Sequence, residues 1–175
     1  MKRVLVILGV IAAVLLIAFF VLRTATKSSS PEAVARIDQN GLSVKVDYCQ
    51  PSKKGRPIFG GLVPYGQVWR TGANEATILN INQNVTVAGQ PLKAGEYTLW
   101  TIPSKQGWIA IINRQTGQWG TSYDQSEDVF RAPIVSRPHN PMTERFTISF
   151  TPVANGADMI LAWDQTEAVV PIRTR

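Results

Sequence analysis

Apolar and polar residues alternate along much of the chain after residue 31. Between Leu42 and Tyr48 every second side chain is apolar, and residues 146–151 repeat the pattern. A period of two is typical of β-strands with one buried face. The same patterning predicts further strands at residues 85–87, 97–102, 129–135, 159–163 and 168–172, and the continuous apolar run at 108–112 predicts a strand covered on both faces.

Turn signals separate these predicted strands. Asn40-Gly41 and Asn155-Gly156 are dipeptides that favour tight hairpins. No segment after residue 31 keeps a helical period for about a dozen residues. The pattern therefore predicts an all-β fold, an antiparallel β-sandwich of the jelly-roll-like kind, preceded by one N-terminal transmembrane helix.

That helix is predicted from an uncharged, strongly apolar stretch at residues 4–22. A helix of about 19 residues approaches the roughly 30 Å thickness of a bilayer's hydrocarbon core. Residues 1–23 are therefore a membrane anchor in contact with the lipid bilayer through residues 4–22, or a signal segment that is cleaved. Cleavage after Ala25 would put Arg23 where a small residue is required, which favours the uncleaved anchor.

Charges around this stretch predict its orientation. Lys2 and Arg3, with the amino terminus, carry more positive charge than Arg23 and Lys27 behind it. We therefore expect a single-pass protein with a cytoplasmic N-terminus and a periplasmic or extracellular C-terminal domain. If the segment is cleaved, the domain is secreted. Residues 24–31 are predicted to be a flexible linker, and residues 32–175 the exported β-sandwich domain.

Composition excludes several kinds of function. The net charge of +6 includes the four cations that flank the apolar stretch, so the exported part carries only +6 − 4 = +2. Such a domain lacks the basic excess of nucleic-acid-binding proteins, and we expect no nucleic-acid partner.

Metal-binding and catalytic residue types are also few. The chain has one cysteine, Cys49, and one histidine, His139, far apart in sequence, so we predict no metal site and no cofactor. Asp124, Glu127 and Asp128 form an acidic cluster without the spacing of a calcium loop. Cys49 ends a predicted strand, where it is either packed or partly exposed and available to cross-link two chains.

The segment we call the basic loop, residues 50–75, interrupts the strand pattern. It is rich in proline, glycine and basic residues, and Glu75 is its first acid. A long connection of this kind is usually functional or disordered, and its large apolar residues argue against disorder. Arg and Lys bind anionic groups, while aromatic rings stack on sugar faces. The candidate site for an anionic or glycan ligand comprises Tyr48, Lys53, Lys54, Arg56, Tyr65, Trp69, Arg70 and Glu75.

Three interpretations stay open. In the first, the protein is a binding or cell-envelope interaction module centred on the basic loop. In the second, it is an envelope hydrolase in which Glu75 is the acid or base and Arg70 holds an anionic group; we lean against an enzyme, because no catalytic motif is present. In the third, the domain is purely structural, with Trp69 filling a hollow and Arg70 bridging loop carbonyls or Glu75.

The stretch PSKKGRPIFGGLVPYGQVWRTGANEAT, followed by AGEYTLWTIP and QWG, resembles the bacterial domain of unknown function 2911. The similarity spans most of residues 44–150. The resemblance implies a small, usually exported domain with no assigned activity. Many relatives start with ordinary signal peptides, so an uncleaved anchor would be a departure from the family.

Overall fold

The structure, a computed structural model, describes residues 2–174, except the side chains of residues 2, 4–6, 20 and 22–25. Within those residues one helix precedes nine β-strands, and a short 3₁₀ turn leads into the eighth strand. The elements are α1 Lys2–Ser29, β1 Glu32–Gln39, β2 Leu42–Cys49, β3 Thr77–Ile81, β4 Val85–Val87, β5 Gln90–Leu92, β6 Gly95–Ile102, β7 Trp108–Asn113, β8 Asp128–Val153 and β9 Gly156–Thr174.

All the strand pairs are antiparallel, in the order β1-β2-β3-β6-β7-β8-β9-β4-β5. This confirms the all-β, antiparallel part of the prediction. Asn40 and Gly41 form the β1–β2 hairpin with φ angles of 50° and 81°, as their residue types predict. The strands predicted separately at 129–135 and 146–151 are both parts of β8.

The sheet folds over on itself and closes around one apolar core. Tyr48 of β2 hydrogen-bonds with Ile148 of β8, although three strands separate β2 from β8 in the sheet order. Buried side chains of β2, β3, β6 and β7 belong to the same core as those of β4, β8 and β9. The arrangement is therefore sandwich-like, with the two layers formed by one continuous set of strands.

Three strands, β1, β3 and β5, were not predicted from the sequence. β1 is an edge strand in which only Ala35 is fully buried, so its pattern of apolar residues is weak. It is held by pairing with β2 over its whole length. In β3 the polar Thr77 is buried while the apolar Ile78 is only partly buried, which obscures the alternation, and β5 has a single buried apolar residue, Leu92.

The amino-terminal helix α1 exposes its apolar side chains. The large apolar residues whose side chains are described between Ile7 and Val21 are at least half exposed. Among the described residues no helix combines the length and apolar character needed to cross a bilayer, so the structure does not support the transmembrane part of the prediction.

α1 also continues further than the sequence predicted. It runs through Ser29, into the segment predicted to be a linker. Its end contacts the domain: Asn74 Nδ2 donates to the Ser30 carbonyl at 3.4 Å, and Lys27 pairs with Glu32 and, at 3.4 Å, with Glu75. The end of the helix is therefore held beside the basic loop.

Candidate functional site

The basic loop forms one side of a cleft with a volume of about 680 Å³. The end of α1 and the backbone at Gly120 complete its walls. Lys54, Arg56, Trp69 and Arg70, four of the eight residues predicted for the site, line this cleft. The other four, Tyr48, Lys53, Tyr65 and Glu75, do not.

The loop is ordered because its apolar side chains reach the core. Ile58, Val63 and Trp69 are buried. Trp69 also exchanges two backbone hydrogen bonds with Thr101 of β6, at 2.7 and 2.9 Å, so the loop is paired with the sheet at this point. The residues that follow Trp69 in the chain are thereby fixed at the mouth of the cleft.

Aromatic rings support the cleft from below. Trp69 stacks on Trp163 of β9 with ring centroids 5.9 Å apart, and Phe146 of β8 meets Trp69 edge-on at 5.0 Å. Phe59 packs against Trp108 at 4.8 Å. Such rings bury large areas with little side-chain freedom, so they form a rigid base for the charged residues above them.

Arg70 is mostly buried at this cleft. Its Nη1 donates to the Gly120 carbonyl at 3.2 Å, whereas its buried Nε has no hydrogen-bond partner among the described atoms. Burial lowers the pKa of the Arg70 guanidinium from its ordinary value. No described carboxylate lies within ion-pair distance of Arg70, so the charge on this guanidinium is only partly compensated.

Gly120 makes room for Arg70. A Cβ atom at position 120 would lie 2.0 Å from Arg70 Cδ and 2.6 Å from the Asn74 carbonyl oxygen. The glycine is therefore required by close packing at this site. Sequence reasoning did not assign Gly120 to the site; the only signal was the QWG stretch that it shares with the family.

The two other cations on the cleft wall have no described carboxylate partner. Arg56 donates to the backbone carbonyls of Ser52, at 2.6 Å, and Lys53, at 2.9 Å. The backbone N–H of Lys54 donates to Glu144 at 2.8 Å, which fixes the turn. No acidic residue is among the described residues that line the cleft.

Lys53 differs from these neighbours. Its ammonium pairs with Asp164 at 2.6 Å, and both side chains are about four-fifths buried. It therefore ties the basic loop to β9, which is a structural contact.

Neither predicted tyrosine lines the cleft. Tyr48 is buried in the core, where its hydroxyl accepts the Ile148 N–H at 2.9 Å, and burial raises the pKa of Tyr48. Tyr65 lies at a smaller cavity of about 190 Å³ beside Phe59 and Trp108. The predicted aromatic platform for a sugar is thus reduced to Trp69, which is itself only 9% exposed.

Glu75 lines a different hollow, of about 340 Å³, together with Cys49 and Lys27. The Cys49 thiol donates to Glu75 Oε2 at 3.9 Å, and burial raises the pKa of that thiol. Arg70 and Glu75 form no ion pair within the described part of the chain. The structure therefore shows Arg70 bound to a backbone carbonyl, that of Gly120, and not to Glu75.

The remaining candidates lie in compact charge clusters away from the cleft. His139 Nδ1 is 2.8 Å from Glu167, which also accepts from Arg137 at 2.5 Å. Burial alone would raise the pKa of Glu167, but these two hydrogen bonds outweigh it and lower the pKa. No group of three or more His, Cys, Asp or Glu side chains in the described residues is placed to hold a metal ion.

The family assignment follows from a match over most of the chain. Residues 30–172 match the model of the family described as "Protein of unknown function (DUF2911)". This chain belongs to that family. The match includes the whole basic loop and Gly120, and it confirms the resemblance seen in the sequence. No curated protein and no solved structure matches the chain.

Proposed function

We propose that this member of the family is a membrane-tethered, extracytoplasmic binding module whose cleft takes the anionic group of a small ligand. The observation that carries the proposal is the environment of Arg70. Its guanidinium is mostly buried beside an open cleft, and among the described residues its Nε has no hydrogen-bond partner and no carboxylate pairs with it.

The energetics of Arg70 favour an anionic ligand. A buried charge without a counter-charge is costly, and the usual remedy in proteins is a paired acid. A carboxylate, phosphate or sulfate at the cleft would supply that counter-charge and accept from the guanidinium. A charge-assisted hydrogen bond of this kind contributes about 1.5–3 kcal/mol.

Lys54 and Arg56 support the same chemistry. Both line the cleft, and no acid is among the described residues that line it. Three cations around one concave site attract anions more strongly than the same charges spread over a convex surface. The burial of Tyr48 and the place of Tyr65 at a different cavity favour an anionic group over a neutral sugar face as the recognised element.

The proposal also includes attachment of α1 to a membrane and export of the β-domain. A helix with exposed apolar side chains on all of its faces is stabilised by an apolar environment, and a membrane supplies one. The charge distribution around residues 4–22 favours a domain on the outer side of that membrane.

The hydrolase alternative has less support. It requires Glu75 and Arg70 to act on one substrate, but Glu75 lines the hollow with Cys49 and Lys27, and Arg70 lines the cleft. No described carboxylate lines the cleft to serve as its acid or base.

The test is a titration of the full chain in an uncharged detergent with inorganic phosphate, glucuronate and glucose, read by tryptophan fluorescence. We expect both anions to bind, glucose not to bind, and added salt to weaken the binding. Arg70→Ala should weaken anion binding by about 10- to 100-fold, whereas Arg36→Ala, at an exposed arginine of β1, should retain it. Equal binding of glucose and glucuronate, or full binding by Arg70→Ala, would contradict the proposal.

A further inference from the structure

The cleft lies directly beside the end of α1. Thr26, Ser29 and Ser30 form part of its lining. Val21, whose apolar side chain is 60% exposed, is only five residues before Thr26. At about 1.5 Å per residue, this separates the apolar part of the helix from the cleft wall by only about 8 Å along the helix axis.

The lining of the cleft is apolar as well as basic. Leu62, Val63, Pro64 and Val68 line it along with the three cations, and Leu62 is 46% exposed. A small hydrophilic anion would leave the exposed surfaces of Leu62 and Pro64 in contact with water. An amphipathic molecule, with an anionic group next to an apolar part, would contact both kinds of residue.

We infer that the occupant of the cleft is the headgroup of an anionic phospholipid, taken from the bilayer in which α1 is held. This inference rests on the proposed anion binding and membrane tether, and it adds the source of the anion. Basic side chains close to a bilayer are attracted by anionic headgroups. The guanidinium of Arg70 matches a phosphate in geometry, and Leu62 and Pro64 would lie towards the glycerol and the first acyl carbons.

The experiment titrates the full chain in an uncharged detergent with dioctanoyl phosphatidylglycerol, dioctanoyl phosphatidylcholine, glycerol phosphate and inorganic phosphate. Tryptophan fluorescence is the readout, because Trp69 and Trp163 both line the cleft. We expect phosphatidylglycerol to bind at least about tenfold more tightly than each of the other three compounds, because it alone offers both a net negative charge and acyl chains.

Two variants link binding to the cleft. Arg70→Ala should abolish the preference for phosphatidylglycerol over phosphatidylcholine. Lys54→Ala should reduce the preference several-fold without affecting the fold, since the Lys54 side chain is exposed and only its backbone N–H has a described contact. The matched control is Lys93→Ala, at an exposed lysine between β5 and β6, which should leave the preference unchanged.

Each other outcome overturns the inference in a distinguishable way. If glycerol phosphate or inorganic phosphate binds as tightly as phosphatidylglycerol and needs Arg70, the anion is a free solute and the proposed function still holds. If both lipids bind equally and Arg70→Ala changes neither, the lipid only partitions onto the helix. If no anion binds through Arg70, the inference and the proposed function both fail.

Discussion

Two arginines of this domain occupy opposite electrostatic environments. Arg131, together with Asn113, Tyr123 and Asp128, forms what we call the tyrosine cluster. In it, Asp128 accepts from Arg131 Nε at 2.8 Å, from Asn113 at 2.9 Å and from the Tyr123 hydroxyl at 2.6 Å. Within the described part of the chain, Arg70 at the cleft has one hydrogen bond, to the Gly120 carbonyl, and no carboxylate partner.

This difference in charge compensation indicates that Arg131 stabilises the fold, whereas Arg70 is a candidate for ligand binding. In the tyrosine cluster every charge is compensated within the protein, and the contacts join the segment after β7 to the start of β8. At the cleft, the compensation is incomplete and the site is open. Removal of a member of the tyrosine cluster should therefore change stability, and removal of Arg70 should change binding.

The largest expected effect is that of Asp128→Ala on stability. This substitution leaves Arg131 and the Tyr123 hydroxyl without their main partner, so we expect the free energy of unfolding to fall by about 3 kcal/mol. Anion binding should not change. Urea denaturation measures the effect, and Asp38→Ala, at an exposed acid paired with Arg36, is the control with an expected loss under about 1 kcal/mol. Equal losses in the two variants would contradict the comparison.

Arg70→Ala should show the reverse pattern. We expect anion affinity to fall by about 10- to 100-fold, which corresponds to the loss of about 1.4–2.8 kcal/mol of binding free energy. The free energy of unfolding should stay within about 1 kcal/mol of wild type, because the substitution also removes an incompletely compensated buried charge. Calorimetric titration with phosphate and urea denaturation measure the two quantities. A large loss of stability with unchanged binding would make Arg70 a structural residue.

Gly120→Ala tests how closely the backbone surrounds Arg70. The added methyl group would overlap Arg70 Cδ and the Asn74 carbonyl, so we expect a stability loss of about 1–3 kcal/mol and weaker anion binding. In the double variant with Gly120→Ala and Arg70→Ala, the overlap with Arg70 Cδ is gone. The loss of stability in the double variant should therefore be smaller than the sum of the losses in the two single variants. Strict additivity would show that Arg70 does not fill this space. Gly9→Ala is the control, because outside its own turn of α1 no described atom lies within 4 Å of the new methyl group.

The tyrosine cluster also predicts a pH dependence. Burial and the hydrogen bond to Asp128 raise the pKa of Tyr123 to about 12. A tyrosine pKa that is higher in the folded protein stabilises the fold fully below about pH 10, and this contribution disappears as the pH rises towards 12. The difference in free energy of unfolding between wild type and Tyr123→Phe should narrow by about 1 kcal/mol over that range. A constant difference would show that Tyr123 titrates normally.

Glu75→Gln should have the smallest effect. The pair with Lys27, at 3.4 Å, is partly exposed, so its loss should cost less than about 1 kcal/mol. Phosphate binding at the cleft should not change, because Glu75 lines a different hollow. If the wild-type protein turned over an ester or glycan and Glu75→Gln stopped this turnover while binding stayed intact, the hydrolase interpretation would replace the binding module.

Several parts of the fold could be predicted from local sequence. Alternation in residues 42–49 and 146–151 predicted half-buried strands, because a period of two places one set of side chains towards the core. Asn40-Gly41 predicted a hairpin, because these residues tolerate positive φ angles. The short strand β3 and the edge strand β1 escaped prediction, because their pairing depends on β2 and not on their own pattern.

Four of the eight residues predicted for the site line the cleft, and the other four do not. The sequence showed a basic, aromatic loop and pointed to Lys54, Arg56, Trp69 and Arg70. It could not separate these residues from Lys53, which pairs with Asp164 more than a hundred residues away, or from Tyr48 in the core. Gly120 was missed because its role depends on a contact with an arginine fifty residues earlier.

The sequence by itself determined the strand-rich character of the domain, its family and the concentration of cations in one loop, because all three are properties of residue order alone. Only the tertiary structure decided that Arg70 and Glu75 line different hollows and that the end of α1 forms a wall of the cleft. Those features depend on which distant backbone segments lie next to one another, and the packing of the whole core determines this.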